Sequence, residues 1–296
     1  MKLAAVVHDA GSAEVLLSYL FELNQEVSVV VEGPALSVLE RYPKNWKIVP
    51  LESLLDTEFD VIFLGLSSPS NIDSVVLERF ASQTTLLISF LDHWSFSLSD
   101  FENNGKFWLP DVFVVTDSEA LRLASICFPG VEIIEIPNPY LDRVLNEFQT
   151  IPKRNAHRKR ILYVSEPLDP DKNLEFVKLL KAEGEIGLEE VAYRYFISTL
   201  EKANLYEHEI VIRPHPRQIV ADFDAMYLSA HPRVSFSVNS NLIDDLRGTD
   251  VVVGVHSMAL YVSVNLGIPT FCCLPPGAGN CAIRGIEMVY LRDFAR

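Results

Sequence analysis

The chain has 296 residues, which is long enough for two compact α/β domains. Hydrophobic residues make up 49% of it and charged residues 22%, a composition that fills sizeable cores and excludes a disordered protein. The net charge of −15 argues against nucleic acid or an anionic membrane surface as the main partner, because phosphate binding needs clustered cations.

The first half of the chain alternates short apolar runs with amphipathic segments. The runs lack strict alternation, as expected of strands that are covered on both faces. The predicted strands are Leu3–Val7, Val27–Val31, Val61–Gly65, Thr85–Leu91, Val112–Thr116 and Glu132–Ile136. The predicted helices are Ala13–Leu23, Ala35–Tyr42, Ile72–Ser82, Ser118–Phe128 and Tyr140–Phe148, with Ser12 and Asp117 at N-cap positions.

The second half repeats the scheme. Its predicted strands are Ile161–Val164, Ile210–Arg213, Val234–Phe236, Val251–Val255 and Thr270–Cys273, with a last one near Met288–Leu291. Its predicted helices are Leu174–Glu183, a longer one near Leu188–Ala203, and Met258–Leu266. Strands that alternate with helices predict βαβ units and parallel sheets.

Charge divides the chain into two parts. Residues 1–150 carry 8 basic and 22 acidic side chains, whereas residues 151–296 carry 17 and 18. The change falls at the polar, basic stretch 151–160, which predicts a domain boundary there. We therefore expect an α/β protein with two doubly wound Rossmann-like domains, residues 1–150 and 151–296, facing each other across a cleft.

Ligands of open parallel sheets bind beyond the carboxyl ends of the strands. In the second half, the stretch Arg213-Pro214-His215-Pro216-Arg217 follows a buried strand directly. The two prolines restrict the backbone around His215, and two guanidiniums beside an imidazole suit a phosphate or diphosphate.

A second stretch, Asp250-Val-Val-Val-Gly-Val-His-Ser-Met-Ala-Leu260, runs from a strand through His256 and Ser257 into a helix. Backbone N–H groups at a helix start bind anionic oxygen readily. Ser165 and Glu166, which follow the first strand of this half, are candidates for contact with a nucleotide base or ribose.

The Arg-x-His-Pro-Arg stretch together with the later serine motif and Gly267-Ile268-Pro269 resembles the donor-binding half of GT-B glycosyltransferases. It is most similar to bacterial sialyltransferases and to the capsule and teichoic-acid (CDP-glycerol-type) transferases, which use cytidine-activated donors. The resemblance implies that His215 and Ser257 contact the donor phosphate. It also implies that the N-terminal domain holds the acceptor and a catalytic base.

Two groups of residues in the first half could supply that base. Asp92 and His93 follow the fourth predicted strand, next to Trp94, which could stack on a sugar ring. Asp9 lies after the first strand, two residues before Gly11, and loosely matches the acidic residue beside a glycine that sialyltransferases use.

These features together predict a metal-independent glycosyltransferase. It would move a sugar from a nucleotide-activated donor, such as a CMP-linked sugar, to a hydroxyl acceptor in surface polysaccharide or glycoconjugate synthesis. We expect no cofactor and no metal. No cluster of His, Asp or Glu has zinc-ligand spacing, and the two Asp-x-Asp triplets, Asp169-Pro-Asp171 and Asp222-Phe-Asp224, do not directly follow a predicted strand. The strongly acidic first half makes a soluble or protein-bound acceptor as plausible as a lipid-linked one.

Two other functions stay open. A UDP-N-acetylglucosamine 2-epimerase shares the two-domain plan, and Asp92 and His93 could serve its acid–base chemistry. A GT-B-shaped binding or scaffold protein would bind a nucleotide without turnover. The four cysteines show no paired spacing, and neither a membrane-spanning run nor a signal peptide is apparent, so we expect a cytoplasmic protein with reduced thiols.

Overall fold

The computed structural model describes residues 1–42, 46–67, 70–149, 158–168, 170, 173–180, 187–216, 218, 224–239 and 241–294. The chain divides into two compact units, Met1–Arg143 and Val144–Arg296. The boundary predicted after residue 150 falls in the stretch 150–157, which lies outside the described residues. No helix in the described ranges is long and apolar enough to cross a membrane.

Unit 1 is built around a seven-stranded parallel sheet. Its strands are β1 (Leu3–Val7), β2 (Val27–Val31), β3 (Lys47–Ile48), β4 (Val61–Gly65), β5 (Leu86–Phe90), β8 (Val112–Val115) and β9 (Glu132–Glu135), and a short antiparallel pair is formed by β6 (Glu102–Asn103) and β7 (Lys106–Phe107). Its helices are α1 (Ala10–Leu23), α2 (Ala35–Leu39), α3 (Leu51–Leu55), α4 (Ile72–Phe80), α5 (Ser118–Cys127) and the start of α6 (Pro139–Gln149). The sheet order is β3-β2-β1-β4-β5-β8-β9.

The sheet of unit 1 is buried on both faces. Along β1, Ala4 and Val6 belong to one apolar cluster, whereas Ala5 and Val7 belong to another. Because successive side chains of a strand point to opposite faces, these two clusters are the cores above and below the sheet. This explains why the strand sequences are continuously apolar.

Unit 2 contains a six-stranded parallel sheet. Its strands are β10 (Arg160–Val164), β11 (Glu209–Arg213), β12 (Val234–Phe236), β13 (Val251–Gly254), β14 (Thr270–Cys272) and β15 (Val289–Tyr290). Its helices are α7 (Leu174–Leu180), α8 (Leu188–Thr199), α9 (Asp224–Ser229), α10 (Leu242–Leu246) and α11 (Met258–Asn265). The sheet order is β12-β11-β10-β13-β14-β15, with parallel pairing throughout.

The predicted strands of both halves are confirmed, and the parallel pairing with them. The N-cap predicted at Ser12 is wrong, because α1 begins at Ala10, three residues before the predicted start, and Asp9 is its N-cap residue. The extended backbone of Asp9 places its carbonyl where it accepts the N–H of Ala13 at 3.0 Å, and Ser12 is buried inside the helix. The N-cap at Asp117 is confirmed, since its side chain accepts the N–H of Ala120.

Candidate functional site

The strand order of unit 2 brings the predicted phosphate residues to one edge of its sheet. β11 and β13 lie on either side of β10. His215 follows β11, Ser165 and Glu166 follow β10, and Ser257 follows β13. Because neighbouring strands are about 4.8 Å apart, His215 and Ser257 belong to strands separated by about 10 Å.

His215 lies in a tight turn after β11. Its backbone N–H donates to Oε1 of Gln218 at 2.8 Å, and its carbonyl accepts the backbone N–H of Gln218 at 2.8 Å. Arg217, predicted to bind phosphate, lies outside the described residues. The turn holds the backbone of His215 in place, and Gln218 is a contributor that the sequence analysis missed.

Arg213 is engaged within unit 2. Its Nη1 donates to Oδ2 of Asp245 at 2.6 Å and to the carbonyl of Asn239 at 3.0 Å. Asp245 is 3% exposed, and it also accepts hydrogen bonds from Ser237 and from the Asn239 side chain. A buried carboxylate needs such partners, so this contact organises the loop after β12. A role for Arg213 at a phosphate stays a prediction.

The Glu166 side chain lies against the start of α11. Its carboxylate accepts the backbone N–H of His256, and burial raises the pKa of Glu166 to about 7. Ser257 is the N-cap residue of α11, since its Oγ accepts the N–H of Ala259 at 3.3 Å. Ser165 is buried and its hydroxyl is 3.2 Å from that of Tyr227.

His256 connects two segments that the sequence analysis did not associate with it. Nδ1 accepts the backbone N–H of Ala282 at 3.0 Å, so the neutral ring carries its hydrogen on Nε2, which donates to Oδ1 of Asn173 at 2.9 Å. Asn173 directly precedes α7. Neither partner belongs to a recognisable motif.

A cavity of about 480 Å³ lies between α7 and the loop after β14, and it is lined by Glu175, Lys178, Gly277, Gly279, Asn280 and Arg292. Arg292 donates to the carbonyl of Gly279 at 2.7 Å and to Oδ1 of Asn280 at 3.0 Å. Its guanidinium also lies 4.1 Å from the ring centre of Tyr290.

In unit 1 the two predicted groups of base candidates meet. We call His8, Asp9, Asp92 and His93, at the carboxyl ends of β1 and β5, the unit 1 edge cluster. Nδ1 of His8 is 2.7 Å from Oδ1 of Asp9. Burial raises the pKa of Asp92, His93 opposes the rise, and the charge of Asp9 adds to it.

His93 and Trp94 are engaged in local contacts. Nδ1 of His93 accepts the backbone N–H of Ser95 at 3.1 Å, so the neutral ring carries its hydrogen on Nε2. The indole N–H of Trp94 donates to the carboxylate of Asp117 at 3.1 Å. Asp117 therefore joins the loop after β5 to the start of α5.

A buried acid lies behind the loop that follows β4. Oδ1 of Asp73 accepts the hydroxyl of Ser67 at 3.1 Å, and both residues are buried. Burial raises the pKa of Asp73 to about 7. Among the residues that the structure describes, none forms a hydrogen bond with Oδ2. The sequence analysis missed this pair.

The sequence predicts a protein without a metal ion. In the described ranges, no three His, Cys, Asp or Glu side chains are close enough together to hold a metal ion. The absence of a metal and of a cofactor stays a prediction.

Comparisons with known proteins bear on the fold. No family model matches the chain, and no curated protein sequence matches it. Among solved structures, UDP-GlcNAc 2-epimerase from Neisseria meningitidis bound to UDP-GlcNAc has a TM-score of 0.59 at 13% identity, covering 92% of this chain and 82% of that one. The wall teichoic acid polymerase TagF has a TM-score of 0.53 at 15% identity, with 91% and 69% covered.

ADP-heptose lps heptosyltransferase II of E. coli has a TM-score of 0.50 at 11% identity, covering 100% of this chain and 97% of that one. These neighbours are GT-B-type enzymes, and at such identities the likeness shows the fold alone. The similarity of the motifs to sialyltransferases stays a prediction. The chain is an α/β protein with two Rossmann-like domains of the GT-B fold.

Proposed function

We propose that this protein is a metal-independent glycosyltransferase that moves a sugar from a nucleotide-activated donor to a hydroxyl acceptor. Unit 2 binds the donor phosphate through His215, Ser257 and Arg217. Unit 1 provides the base that takes the acceptor proton. The cationic and N–H groups of unit 2 stabilise the negative charge on the departing nucleotide without a metal ion.

The observation that carries the proposal is the order β11-β10-β13 in unit 2. It brings the turn with His215 and the start of α11 to one sheet edge, and both elements suit anionic oxygen. The GT-B fold supports it, because the neighbours with this fold include a structure bound to UDP-GlcNAc. The proposal that the donor is CMP-linked rests on the resemblance of the sequence motifs to those of sialyltransferases.

Calorimetry with CMP, CDP, UDP and GDP tests the phosphate site. We expect at least one nucleotide to bind, and His215→Ala to weaken it about 5- to 150-fold, the equivalent of a hydrogen bond to a charged group at about 1 to 3 kcal/mol. His208→Ala is the matched control, since His208 precedes the opposite end of β11. Equal affinities for wild type and His215→Ala would remove the phosphate from this turn.

A second assay separates transfer from epimerisation. The protein is incubated with UDP-N-acetylglucosamine alone, and the sugar is analysed for inversion at its second carbon. A transferase leaves the configuration unchanged and consumes donor only when an acceptor is added. An epimerised sugar in the absence of acceptor would identify an epimerase instead.

A further inference from the structure

Two buried cysteines of unit 2 lie side by side next to the start of α11. Cys272 is the last residue of β14, and Cys281 lies in the loop that joins β14 to β15. Sγ of Cys281 is 3.0 Å and Sγ of Cys272 is 3.4 Å from the carbonyl oxygen of Val255. The two side chains also form a hydrogen bond with each other. Two free thiols are therefore in contact at this position.

Tyr290 holds the backbone of Cys281 near the strand that carries Cys272. In the parallel pairing of β14 with β15, Cys272 is the partner of Tyr290. The hydroxyl of Tyr290 accepts the N–H of Cys281 at 3.0 Å. A disulfide needs neighbouring backbones as well as neighbouring sulfurs, because its two Cα atoms are about 4.4 to 6.8 Å apart. The tyrosine ties the loop of Cys281 to the end of β14.

Only a small movement of this loop is needed to form a disulfide. An S–S bond is about 2.05 Å long, so two sulfurs at hydrogen-bond distance approach each other by about 1 to 2 Å. In the stretch 273–288, which the structure describes throughout, the chain forms neither helix nor strand. The irregular loop can therefore follow the movement of Cys281, while Cys272 stays in the sheet.

The surroundings favour Cys281 as the thiol that reacts first. The hydrogen bond with Cys272 lowers the pKa of the Cys281 thiol, burial opposes the change, and His256 lowers the pKa further. The same hydrogen bond raises the pKa of Cys272, which therefore keeps its hydrogen. Burial raises the pKa of Cys273, whose side chain forms a hydrogen bond with Tyr163 instead. The thiolate is the form that attacks an oxidant, so Cys281 attacks and Cys272 resolves.

Burial restricts the oxidant to a small molecule. Cys281 is 1% exposed and Cys272 is fully buried. The cavity of about 480 Å³ between α7 and the loop after β14 is lined by Gly279 and Asn280, which directly precede Cys281. Hydrogen peroxide is little larger than water and reaches this loop through the cavity. A peptide disulfide such as oxidised glutathione is too large to approach a buried sulfur.

We propose that Cys272 and Cys281 are a redox modification site that hydrogen peroxide converts to a disulfide, a property that goes beyond the proposed transfer reaction. The Cys281 thiolate attacks one peroxide oxygen, the O–O bond breaks, and the hydroxide that leaves combines with the proton released by Cys281. Cys272 then attacks the sulfur of the resulting sulfenic acid. The S–S bond forms, the S–O bond breaks, and hydroxide leaves with the Cys272 proton as water. Two thiols are oxidised, and one peroxide is reduced to two water molecules.

The disulfide affects the start of α11 through the residue that follows Cys281. The N–H of Ala282 donates to Nδ1 of His256 at 3.0 Å. Oxidation draws Cys281 toward Cys272 by about 1 to 2 Å, and Ala282 moves with it. The carbonyl of Val255, which directly precedes His256, loses both thiols as donors. We therefore expect oxidation to break the hydrogen bond between Ala282 and His256.

Thiol counting in the folded protein tests the link. The reduced chain is treated with hydrogen peroxide at pH 7, unfolded in the presence of an alkylating reagent and digested, and its peptides are identified by mass spectrometry. We expect the number of alkylated cysteines to fall from four to two, and one peptide pair to contain Cys272 joined to Cys281. Dithiothreitol should restore all four thiols.

Single variants and unfolding identify the pair and the role of the fold. Cys281→Ser keeps a hydroxyl donor for the carbonyl of Val255, and it should form no link. Cys127→Ser and Cys273→Ser are the matched controls, because each removes one of the other thiols, and both should keep the link to Cys272. In urea the wild-type link should form at least about tenfold more slowly, since the fold no longer lowers the pKa of Cys281.

Hydrogen exchange tests the effect on α11. We expect the Ala282 amide to exchange at least about tenfold faster in the oxidised chain than in the reduced one, because its acceptor is lost. The Cys273 amide is the control, since it donates to the carbonyl of Gly254 at 2.8 Å and should keep its rate.

Four alkylated cysteines after peroxide treatment, or a link between any other pair, would overturn the proposal. A link that forms as fast in urea as in the folded chain would also overturn it, because closeness along the chain would then be its cause. An unchanged exchange rate of the Ala282 amide in the oxidised protein would contradict the effect on α11.

Discussion

Oδ2 of Asp92 lies 2.6 Å from the point where a Cβ of residue 11 would be, so the carboxylate fills the space that Gly11 leaves open. The two residues come from the ends of β5 and β1, which are separated in the sheet by β4. The contact brings Asp92 against the first turn of α1, close to Asp9. A side chain at position 11 would therefore displace Asp92, whereas the backbone, which is helical there, accepts one without strain.

This contact predicts that Gly11→Ala lowers turnover without lowering the stability of unit 1. Alanine is favoured over glycine inside a helix by about 1 kcal/mol, and the Asp92 carboxylate can shift to make room. We expect the free energy of unfolding to stay equal or rise, and turnover to fall because Asp92 is displaced. Urea unfolding followed by tryptophan fluorescence measures the first quantity, since Trp46, Trp94 and Trp108 all belong to unit 1. A stable variant with wild-type turnover would exclude Asp92 from the reaction.

Asp73 predicts how the stability of unit 1 depends on pH. Its pKa is about 7 in the folded state, above the usual value of 3.8, so the folded state binds more protons than the unfolded state between these values. Its contribution to stability is therefore complete below pH 3.8 and is lost as the pH rises to 7. Between pH 5 and pH 8 the loss should be about 2 to 3 kcal/mol.

Asp73→Asn should remove this pH dependence, because the amide does not ionise. Tryptophan fluorescence in urea at pH 5 and pH 8 measures the difference. Asp56→Asn is the control, since Asp56 is exposed after α3 and the variant should keep the wild-type slope. Equal slopes in wild type and Asp73→Asn would show that Asp73 is ionised throughout this range.

The hydrogen bond accepted by Glu166 predicts that its substitution lowers the stability of unit 2. Glu166→Ala removes the acceptor of the His256 N–H and should cost about 1 to 3 kcal/mol, whereas Glu166→Gln keeps a carbonyl acceptor and should cost less. Hydrogen exchange of the amides in β10 and β13 measures the change, because tryptophan reports only on unit 1. Equal losses in the two variants would mean that the hydrogen bond contributes little.

The ion pair between Arg213 and Asp245 predicts that substitutions of the two residues do not have additive effects on stability. Removing one partner of a buried ion pair leaves an uncompensated charge, so Arg213→Met should destabilise unit 2 by about 3 to 5 kcal/mol. The double variant with Asp245→Asn should cost less than the sum of the single changes. Hydrogen exchange in β11 and β12 measures these changes. A fully additive double variant would show that the two side chains do not interact.

Element types were predictable from sequence because the signals are local. The continuous apolar runs of β1, β4 and β13 predicted buried parallel strands, and the sheets contain them at those positions. The sequence analysis did not predict several short elements, namely the two-residue strands β3, β6 and β7 and the helices α3 and α10. A strand of two residues spans a single period and a helix of five residues little more than one turn, so neither shows a repeating pattern.

The candidate site was harder to predict from the sequence than the fold. His8 and Asp9 are neighbours in the chain, yet the sequence analysis weighed only Asp9. The position of the His8 ring depends on Gly33, a residue 25 positions later that lies against the ring through the pairing of β1 with β2. Nothing in the stretch around Gly33 indicates that contact.

The amino-acid sequence by itself determined the alternation of strands and helices, the two parallel sheets and the set of polar residues at strand ends, because each depends on a short stretch of chain. Only the tertiary structure decided which partner each polar group has. Arg213 pairs with a residue 32 positions away, and Glu166 accepts an N–H 90 positions away. Hydrogen bonds act over about 3 Å, so their partners are settled only when the sheets bring distant segments together.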